Sequence, residues 1–349
     1  MKIFLTTVFF CFISTAYGQS GKLIAPEYGV YHGAFPDMSP TEDVVTTERI
    51  EEFEYLAGKP AAWIYFSDNW FDGIKFPEEE ALAIREAGSV PFIRMMPRSD
   101  FISRAPDPVY TMQDITEGRY DEEFILYARD AAAYGTPLII EFGTEVNGDW
   151  FSWNGTYNGS GESSGYGDPD YPDGPERFRD AYRHIIDIFR REGADNITWA
   201  YHVNGGSDPK EDWNSMASYY PGDEYIDWIG VSVYGAQIPG EKWTSFTALM
   251  DNAYEELSGI SENKPLAVFE FGVVEDPANG NKADWISEAL ESVSSGRYPR
   301  IKAVSYWHSA WDNGSGSISN TRIDSSNESL NAYRRGVSGD YFISGPVFR

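Results

Sequence analysis

The sequence predicts an α/β fold with a single domain, a closed (β/α)8 barrel of the TIM type, and three observations support this. Eight short apolar runs rich in β-branched and aromatic residues alternate with helical stretches, which is typical of βα units around a parallel sheet. Eight such units in one domain favour a closed barrel. No linker or change in composition divides the chain, so we expect one barrel over residues 19–349. The predicted strands are 28–32, 61–66, 90–95, 137–142, 197–202, 226–233, 265–271 and 301–307.

Amphipathic helices are predicted between these strands. The clearest covers residues 174–193, where Pro175 stands near the start, an apolar stripe runs from Phe178 to Phe189 at helical spacing, and Gly193 marks the end. Further helices are predicted at about 77–87, 120–134, 243–258, 282–294 and 328–336.

The first 18 residues have the pattern of a secretory signal peptide: Lys2, an apolar run over 3–13, and small residues up to Gly18. We therefore expect a secreted protein, extracellular or periplasmic. The apolar run is shorter than the ~20 residues that a membrane-spanning helix needs. Cys11, the one cysteine, falls inside this segment, so the remaining chain has no thiol for disulfides, nucleophilic catalysis or metal binding.

The formal net charge is −28, from 27 basic and 55 acidic residues. A surface this acidic repels nucleic acid and anionic lipid, and it disfavours polyanionic substrates. We expect a monomer with neither nucleic acid nor membrane as a partner. Aromatic residues make up 16% of the chain, which is more than a core needs and leaves rings for a binding surface.

The chain has two Glu-Phe-Gly segments, which begin at Glu141 and Glu270, and each is followed within five residues by a second glutamate. Glu141 and Glu145 share one face of the fourth predicted strand and lie about 13 Å apart at ~3.3 Å per residue. If Glu145 stands at the barrel mouth, Glu141 is buried and needs a partner, for which Arg94 on the third strand is the candidate. Glu275 lies in the loop beyond the seventh predicted strand, where a solvated or loop-ordering role is favoured. Glu145 and Glu270 remain as candidate catalytic residues.

Two carboxylates at the ends of strands four and seven fit the requirements of glycosidic hydrolysis. One protonates the leaving oxygen while the other attacks the anomeric carbon, and a separation of about 5–5.5 Å gives retention of configuration. A metal-dependent hydrolase is the rival hypothesis, because His32, His202 and His308 fall near predicted strand ends. The sequence lacks the paired His-x-His ligands typical of such sites.

Several segments resemble glycoside hydrolase family 26. Residues 145–153, EVNGDWFSW, resemble the E-M-N-G-x-W-F-x-W segment around the family's acid/base. Residues 269–272 resemble its nucleophile strand, 220–223 with 227–234 its sixth strand, and 305–307 its last strand. The resemblance spans nearly all of the chain after the signal segment. It implies a retaining barrel glycosidase with Glu145 as acid/base, Glu270 as nucleophile and no required cofactor.

The sequence departs from the family pattern at two positions. Thr144 and Glu141 stand where the family's mannanases usually have His and Arg. The resemblance makes β-mannan the first candidate among neutral β-linked polysaccharides, and these departures keep β-1,3-xylan and mixed-linkage β-glucan as alternatives. A non-catalytic sugar-binding barrel is disfavoured because both catalytic glutamates are present.

Further site residues are expected from their positions. Tyr234 at the end of strand six should hydrogen-bond Glu270 and keep it ionised. Trp307 resembles the clan's sugar platform. Trp150 and Trp153 follow the acid/base and are expected to line neighbouring subsites, with burial in the core as the alternative for each ring.

The histidines and one acidic loop carry weaker hypotheses. His202, His308 and the neighbouring Asn204 are expected to contact sugar hydroxyls or to orient the carboxylates. The loop 168–173, DPDYPD, could hold a structural Ca²⁺, but its spacing fits no EF-hand and a solvated acidic loop is the alternative.

Overall fold

A computed structural model describes residues 21–314 and 316–349, so the predicted signal peptide, with Cys11, lies outside the described residues. Eight parallel strands pair in chain order, and the last pairs with the first to close a barrel. The predicted fold class is confirmed. The strands are β1 (Val30–Phe35), β2 (Trp63–Asn69), β3 (Val90–Met96), β4 (Leu138–Phe142), β5 (Ile197–Asn204), β6 (Trp228–Tyr234), β7 (Leu266–Gly272) and β8 (Ile301–Trp307).

In the described part of the chain, eight α-helices surround the barrel, and several begin at a side-chain cap. Thr46, Ser245 and Ser326 each accept a hydrogen bond from a backbone N–H of the first turn, which satisfies a donor that the helix itself leaves free. The helices are α1 (Thr47–Ala57), α2 (Glu78–Glu86), α3 (Met112–Thr116), α4 (Asp121–Tyr134), α5 (Asp173–Arg191), α6 (Phe246–Ile260), α7 (Lys282–Ser294) and α8 (Asn327–Val337). None of the helices within the described ranges is both long and apolar enough to cross a membrane.

All eight predicted strands are present, but β1 begins later than the predicted run 28–32. Gly29 has a φ of 77°, a left-handed conformation that is incompatible with an extended strand. Tyr28, before it, is exposed. The strand therefore starts at Val30. This shift moves His32 from the expected strand end into the middle of β1.

Three short strands were not predicted. After β8, β9 (Ala310–Asp312) and β10 (Ile318–Asn320) form an antiparallel hairpin. Near the end of the chain, β11 (Phe342–Ile343) pairs in parallel with the start of β1. The hairpin matters most for the site, because it rises beside the barrel mouth.

A β-bulge in β7 shapes the barrel interior. The pairing with β6 skips Phe269, so Val268 and Glu270 face consecutive residues of the neighbouring strand. The bulge turns Phe269 into the barrel, where its ring meets Phe92 edge-to-face at 5.0 Å. Gly230 makes room for this ring, since a Cβ at that position would lie 1.9 Å from it.

Candidate active site

A cleft of about 630 Å³ opens at the carboxyl ends of the strands. Glu145 and Glu270 both line it, together with Arg94, Tyr234 and Trp307. The structure thus brings the two predicted catalytic residues to one cavity. The remaining wall includes Phe35, Glu42, Arg98, Phe101, Phe151, Gln237, Trp311 and Asp312.

Glu145 stands just beyond β4 in a strained backbone conformation. Its φ of 49° is left-handed and uncommon for a residue with a side chain, a feature that clusters at functional sites. The loop then folds back so that the Trp150 indole N–H donates a hydrogen bond of 2.9 Å to Oε2 of Glu145. Gly148 permits this, because a Cβ there would lie 2.2 Å from the Trp150 ring. The loop therefore fixes the direction of the Glu145 carboxyl.

Glu270 lies near the end of β7 and is 3% exposed. The Tyr234 hydroxyl donates a hydrogen bond of 2.8 Å to Oε2, as the sequence predicts, and a guanidinium nitrogen of Arg94 lies 3.5 Å from Oε1. Burial raises the pKa of Glu270 to about 7, opposed by Arg94 and reinforced by the nearby charge of Glu145. Tyr234 was expected to keep Glu270 ionised, but desolvation of the buried carboxyl outweighs its favourable partners and the net shift of its pKa is upward.

A buried polar layer lies beneath Glu270. Glu141 is fully buried, and its Oε1 is 3.7 Å from Nε of Arg94. The Tyr65 hydroxyl donates a hydrogen bond to the same carboxyl oxygen. This is the carboxylate–arginine pairing that strand parity predicts. Nδ1 of His202 lies 2.9 Å from Oε2 of Glu141. Burial lowers the pKa of His202, but Glu141 outweighs this and the net shift is upward.

His202 is therefore held below the cleft rather than in it. Its other ring nitrogen lies 2.9 Å from the Ser232 hydroxyl, and the residue is 2% exposed. Asn204 also does not line the cleft: its backbone N–H donates to Asn147 and its side-chain amide to the Gly206 carbonyl. Because His202 is buried and neither residue lines the cleft, their positions favour support of the site over substrate binding.

Trp307 lines the cleft at the end of β8 and is 7% exposed. Its ring stacks on Phe35 at 3.7 Å and 6°, and the Arg94 guanidinium lies 5.1 Å from it. Phe35 and Arg94 thus hold the expected platform in place.

Trp153 and His308 differ from their expected positions. Trp153 is fully buried, donates its indole N–H to the Thr144 carbonyl at 2.8 Å, and stacks on Phe151 at 4.3 Å. His308 is 2% exposed and accepts the backbone N–H of Ile323 at 2.9 Å. The structure places both in the core, which corrects their prediction as substrate-binding residues; the chain turns inward after each strand end.

No convergent metal site is found in residues 21–314 and 316–349. His32, in mid-strand, lies between the Pro60 carbonyl and the Tyr333 hydroxyl. In the loop 168–173, Oδ2 of Asp173 accepts the Gly165 N–H, and Oδ1 of Asp168 accepts the Asp170 N–H. The arrangement offers acid–base chemistry by carboxylates.

Sequence reasoning missed several residues of the cleft. Arg98 and Phe101 follow β3, and position after a strand end was a usable signal for them. Trp311 lies on the β9–β10 hairpin, whose three-residue strands carry too little pattern to predict. Glu42, on the loop after β1, accepts a hydrogen bond from Ser67 and lies 3.6 Å from a guanidinium nitrogen of Arg94.

Comparisons with known proteins point to one family of glycoside hydrolases. The sequence model of glycosyl hydrolase family 26 matches residues 127–289. Endoglucanase H of Acetivibrio thermocellus is 30% identical over 312 residues, which cover 88% of this chain and 30% of that protein. A mannan endo-1,4-β-mannosidase of Bacillus subtilis is 26% identical over 180 residues, 51% of this chain and 40% of the relative. The chain thus spans less than half the length of either relative.

A solved structure shows the same fold. The catalytic domain of the endo-β-1,4-mannanase of Bacillus sp. JAMB-750 superposes with a TM-score of 0.63 at 18% identity, over 90% of this chain and 87% of that one. Glu145 and Glu270, from the ends of β4 and β7, supply to one cleft the pair of carboxylates that glycosidic hydrolysis uses. The segment that matches the family model, residues 127–289, contains both Glu145 and Glu270, and the chain is similar to glycosyl hydrolase family 26 in sequence and in fold.

Proposed function

We propose that this protein is a retaining endo-β-glycanase that hydrolyses a neutral β-linked polysaccharide by double displacement. The observation that carries the proposal is that Glu145 and Glu270 line one cleft with different hydrogen-bond partners. Glu145 is the acid/base and Glu270 the nucleophile. No cofactor is required, because both steps need only proton transfer and carboxylate attack.

In the first step, Glu270 attacks the anomeric carbon while Glu145 protonates the departing glycosidic oxygen. In the second, Glu145 removes a proton from water, which displaces Glu270 from the sugar. Tyr234 and Arg94 favour the ionised form of Glu270, since a hydrogen bond and a positive charge both stabilise a carboxylate. Trp150 holds Glu145 in place through both steps.

For the sugar, we favour a β-glucan, including mixed-linkage β-glucan, as the substrate. The relative that matches 88% of the chain is named an endoglucanase, and Thr144 stands where the family's mannanases usually have His. β-Mannan is the second candidate, favoured by the family resemblance and by the mannanase relative. β-1,3-Xylan remains the third polysaccharide to test.

The testing experiment incubates the purified protein with β-glucan, mannan and β-1,3-xylan and follows the products. We expect reducing ends to appear faster than the smallest sugars, which marks internal cleavage, and the first-formed anomer to be β by NMR. First-formed α-anomers would contradict the retaining mechanism. EDTA should leave the rate unchanged; loss of activity would favour the metal hydrolase or a required Ca²⁺.

Secretion and a monomeric state are part of the same proposal. The pattern of residues 1–18 supports export, and a polymer too large to enter a cell has to be cut outside the cytoplasm. Expression with an intact leader should release a protein that begins near Gln19, measured by N-terminal sequencing. Scattering mass on the same sample should match one chain.

A further inference from the structure

Two buried carboxylates of the barrel, Glu141 and Glu270, share the guanidinium of Arg94. The guanidinium nitrogens lie 3.7 Å from Glu141, 3.5 Å from Glu270 and 3.6 Å from Glu42 in the cleft wall. At these distances no single carboxylate holds the guanidinium, and its Nε finds no hydrogen-bond partner among the described residues. A buried charge without a counter-charge is costly, so one shared arginine leaves this layer short of a cation.

His202 on β5 is placed to supply that cation. Its Nδ1 lies 2.9 Å from Oε2 of Glu141, and its Nε2 lies 2.9 Å from the Ser232 hydroxyl. An ionised carboxylate only accepts hydrogen bonds and a hydroxyl can accept one, so both ring nitrogens have an acceptor for a proton. The Thr144 hydroxyl also lies 2.9 Å from Nδ1. His202 therefore contacts both positions at which the chain departs from the family pattern.

The surroundings of His202 favour its protonated form. Burial lowers the pKa of His202, but the charge and the hydrogen bond of Glu141 oppose this. The charges of Glu270 and Glu145 add to that opposition, and the net shift is upward. The polar groups that contact His202, act on it by their charge or contact its partners are Tyr65 on β2, Arg94 on β3, Glu141 on β4, Thr144 and Glu145 after it, Ser232 and Tyr234 on β6, and Glu270 on β7.

The interaction between His202 and Glu270 is reciprocal. Burial raises the pKa of Glu270, Arg94 opposes this rise most strongly, and a positive His202 opposes it as well. A charge on His202 therefore favours the ionised form of Glu270, and an ionised Glu270 favours the charge on His202.

We propose that His202 is a positioning residue for the nucleophile, a buried cation that neutralises Glu141 and so leaves Arg94 to pair with Glu270. The inference rests on the proposed function, because it concerns the carboxylate that attacks the sugar. Without the charge on His202, Glu141 attracts the Arg94 guanidinium more strongly, and Glu270 loses part of its counter-charge. Glu270 then ionises only at higher pH. His202 acts through these two residues, because it is buried and does not line the cleft.

The first test removes the positive charge and then its partner. His202→Asn places an uncharged amide near the position of Nδ1, so a hydrogen-bond donor remains for Glu141. In the pH profile of kcat/KM on an aryl glycoside, we expect its acid limb to move up by about one pH unit, the lower end of the range for a lost neighbouring charge. His202→Asn/Glu141→Gln lacks one positive and one negative charge, so its acid limb should return close to that of the unmodified protein.

His184→Asn is the matched control, because this histidine on α5 pairs with Asp121 on α4. Its profile should overlay that of the unmodified protein. A merely structural role for His202 gives a different result, since the second substitution would then add to the damage and would not restore the acid limb. An acid limb of His202→Asn that stays in place or moves to lower pH, or one that the double variant does not restore, would overturn the inference.

The second test reads the charge of His202 in the unmodified protein. The chain has four histidines, and nitrogen-15 labelling of their rings shows by NMR which rings carry two protons at each pH. The ring whose signals change most in Glu141→Gln is that of His202, which contacts this carboxylate. Its titration midpoint should lie above the ordinary value of about 6.5 and should fall in Glu141→Gln.

This titration decides the matter if His202→Asn does not fold. A raised midpoint that falls in Glu141→Gln supports the inference, and a midpoint at or below the ordinary value, or one that Glu141→Gln leaves unchanged, overturns it. An unmodified protein that is inactive on every substrate would instead refute the proposed function, while the titration would still report the charge on His202.

Discussion

The Tyr234 hydroxyl donates a hydrogen bond of 2.8 Å to Glu270, on the opposite carboxyl oxygen from the one that faces Arg94. Both contacts favour the ionised carboxylate, while burial favours the protonated one and raises the pKa of Glu270 to about 7. The protonated and ionised forms of Glu270 are therefore close in free energy near neutral pH. Removing either favourable contact should move this balance in a known direction.

The first prediction concerns this balance. Glu270 attacks only when ionised, so kcat/KM should fall as the pH drops below about 7. Tyr234→Phe removes a hydrogen bond to the ionised form, so the pKa of Glu270 should rise and the acid limb of the profile should move to higher pH. The measurement is a pH profile of kcat/KM on an aryl glycoside.

Tyr225→Phe is the matched control, since this tyrosine hydroxyl contacts Asp187 on the surface rather than the cleft. Its acid limb should overlay that of the unmodified protein. An acid limb in Tyr234→Phe that stays in place or moves to lower pH would show that Tyr234 does not stabilise the ionised nucleophile.

The second prediction concerns the buried pair beneath the site. Glu141→Ala leaves the buried guanidinium of Arg94 with one fewer carboxylate and removes the partner of His202. We expect a loss of about 3–5 kcal/mol in the free energy of unfolding, the range for breaking a buried ion pair. Chemical denaturation measures it. Glu262→Ala, at an exposed position, should change stability little. A Glu141→Ala melt within about a degree of the parent would contradict the buried register of β4.

The third prediction separates two tryptophans that the sequence treats alike. Trp153 is fully buried, so Trp153→Ala should cost about 3–5 kcal/mol of stability. Trp150 is partly exposed and hydrogen-bonded to Glu145. Trp150→Ala should therefore be more stable than Trp153→Ala but should lose more activity on long substrates. Melting temperature and kcat/KM on each purified variant provide the comparison. A reversed order of the two effects would exchange their roles.

Regular strands made part of this site predictable from the sequence. Period-2 alternation places Glu141 four residues before Glu145 on one face, and unbroken pairing of β3 with β4 brings Arg94 beside it. The same rule fails in β7, where the bulge at Phe269 turns two successive side chains inward. A bulge depends on the neighbour that it packs against, here Gly230, and leaves no periodic signal.

Loops limited the remaining predictions. Trp153 and His308 both follow strand ends, yet the chain turns each one into the core through contacts with residues that are not adjacent in sequence. Trp311 lines the cleft from a hairpin of three-residue strands, which are too short to show alternation. Position after a strand end therefore predicts nearness to the mouth, but the direction of a side chain depends on tertiary packing.

The last prediction assigns the roles of the two glutamates. Replacing either Glu145 or Glu270 by Ala should lower activity on polysaccharide by several orders of magnitude, because each step needs both carboxylates. An activated aryl glycoside needs no proton for its leaving group, so Glu145→Ala should still form the covalent intermediate on Glu270. Glu270→Ala has no nucleophile and should form none.

Added azide distinguishes the two variants. In Glu145→Ala, azide should attack the glycosyl-enzyme from the face that water normally uses and release a β-glycosyl azide, with retained configuration. In Glu270→Ala, azide can only displace the aryl group directly, and the product should be the inverted α-glycosyl azide. The anomeric configuration of each adduct is read by NMR. The Trp150 and Tyr234 hydrogen bonds single out Glu145 and Glu270 among the carboxylates that line the cleft. Exchanged outcomes would reverse the two roles. Full activity of either variant on polysaccharide would remove that glutamate from the mechanism.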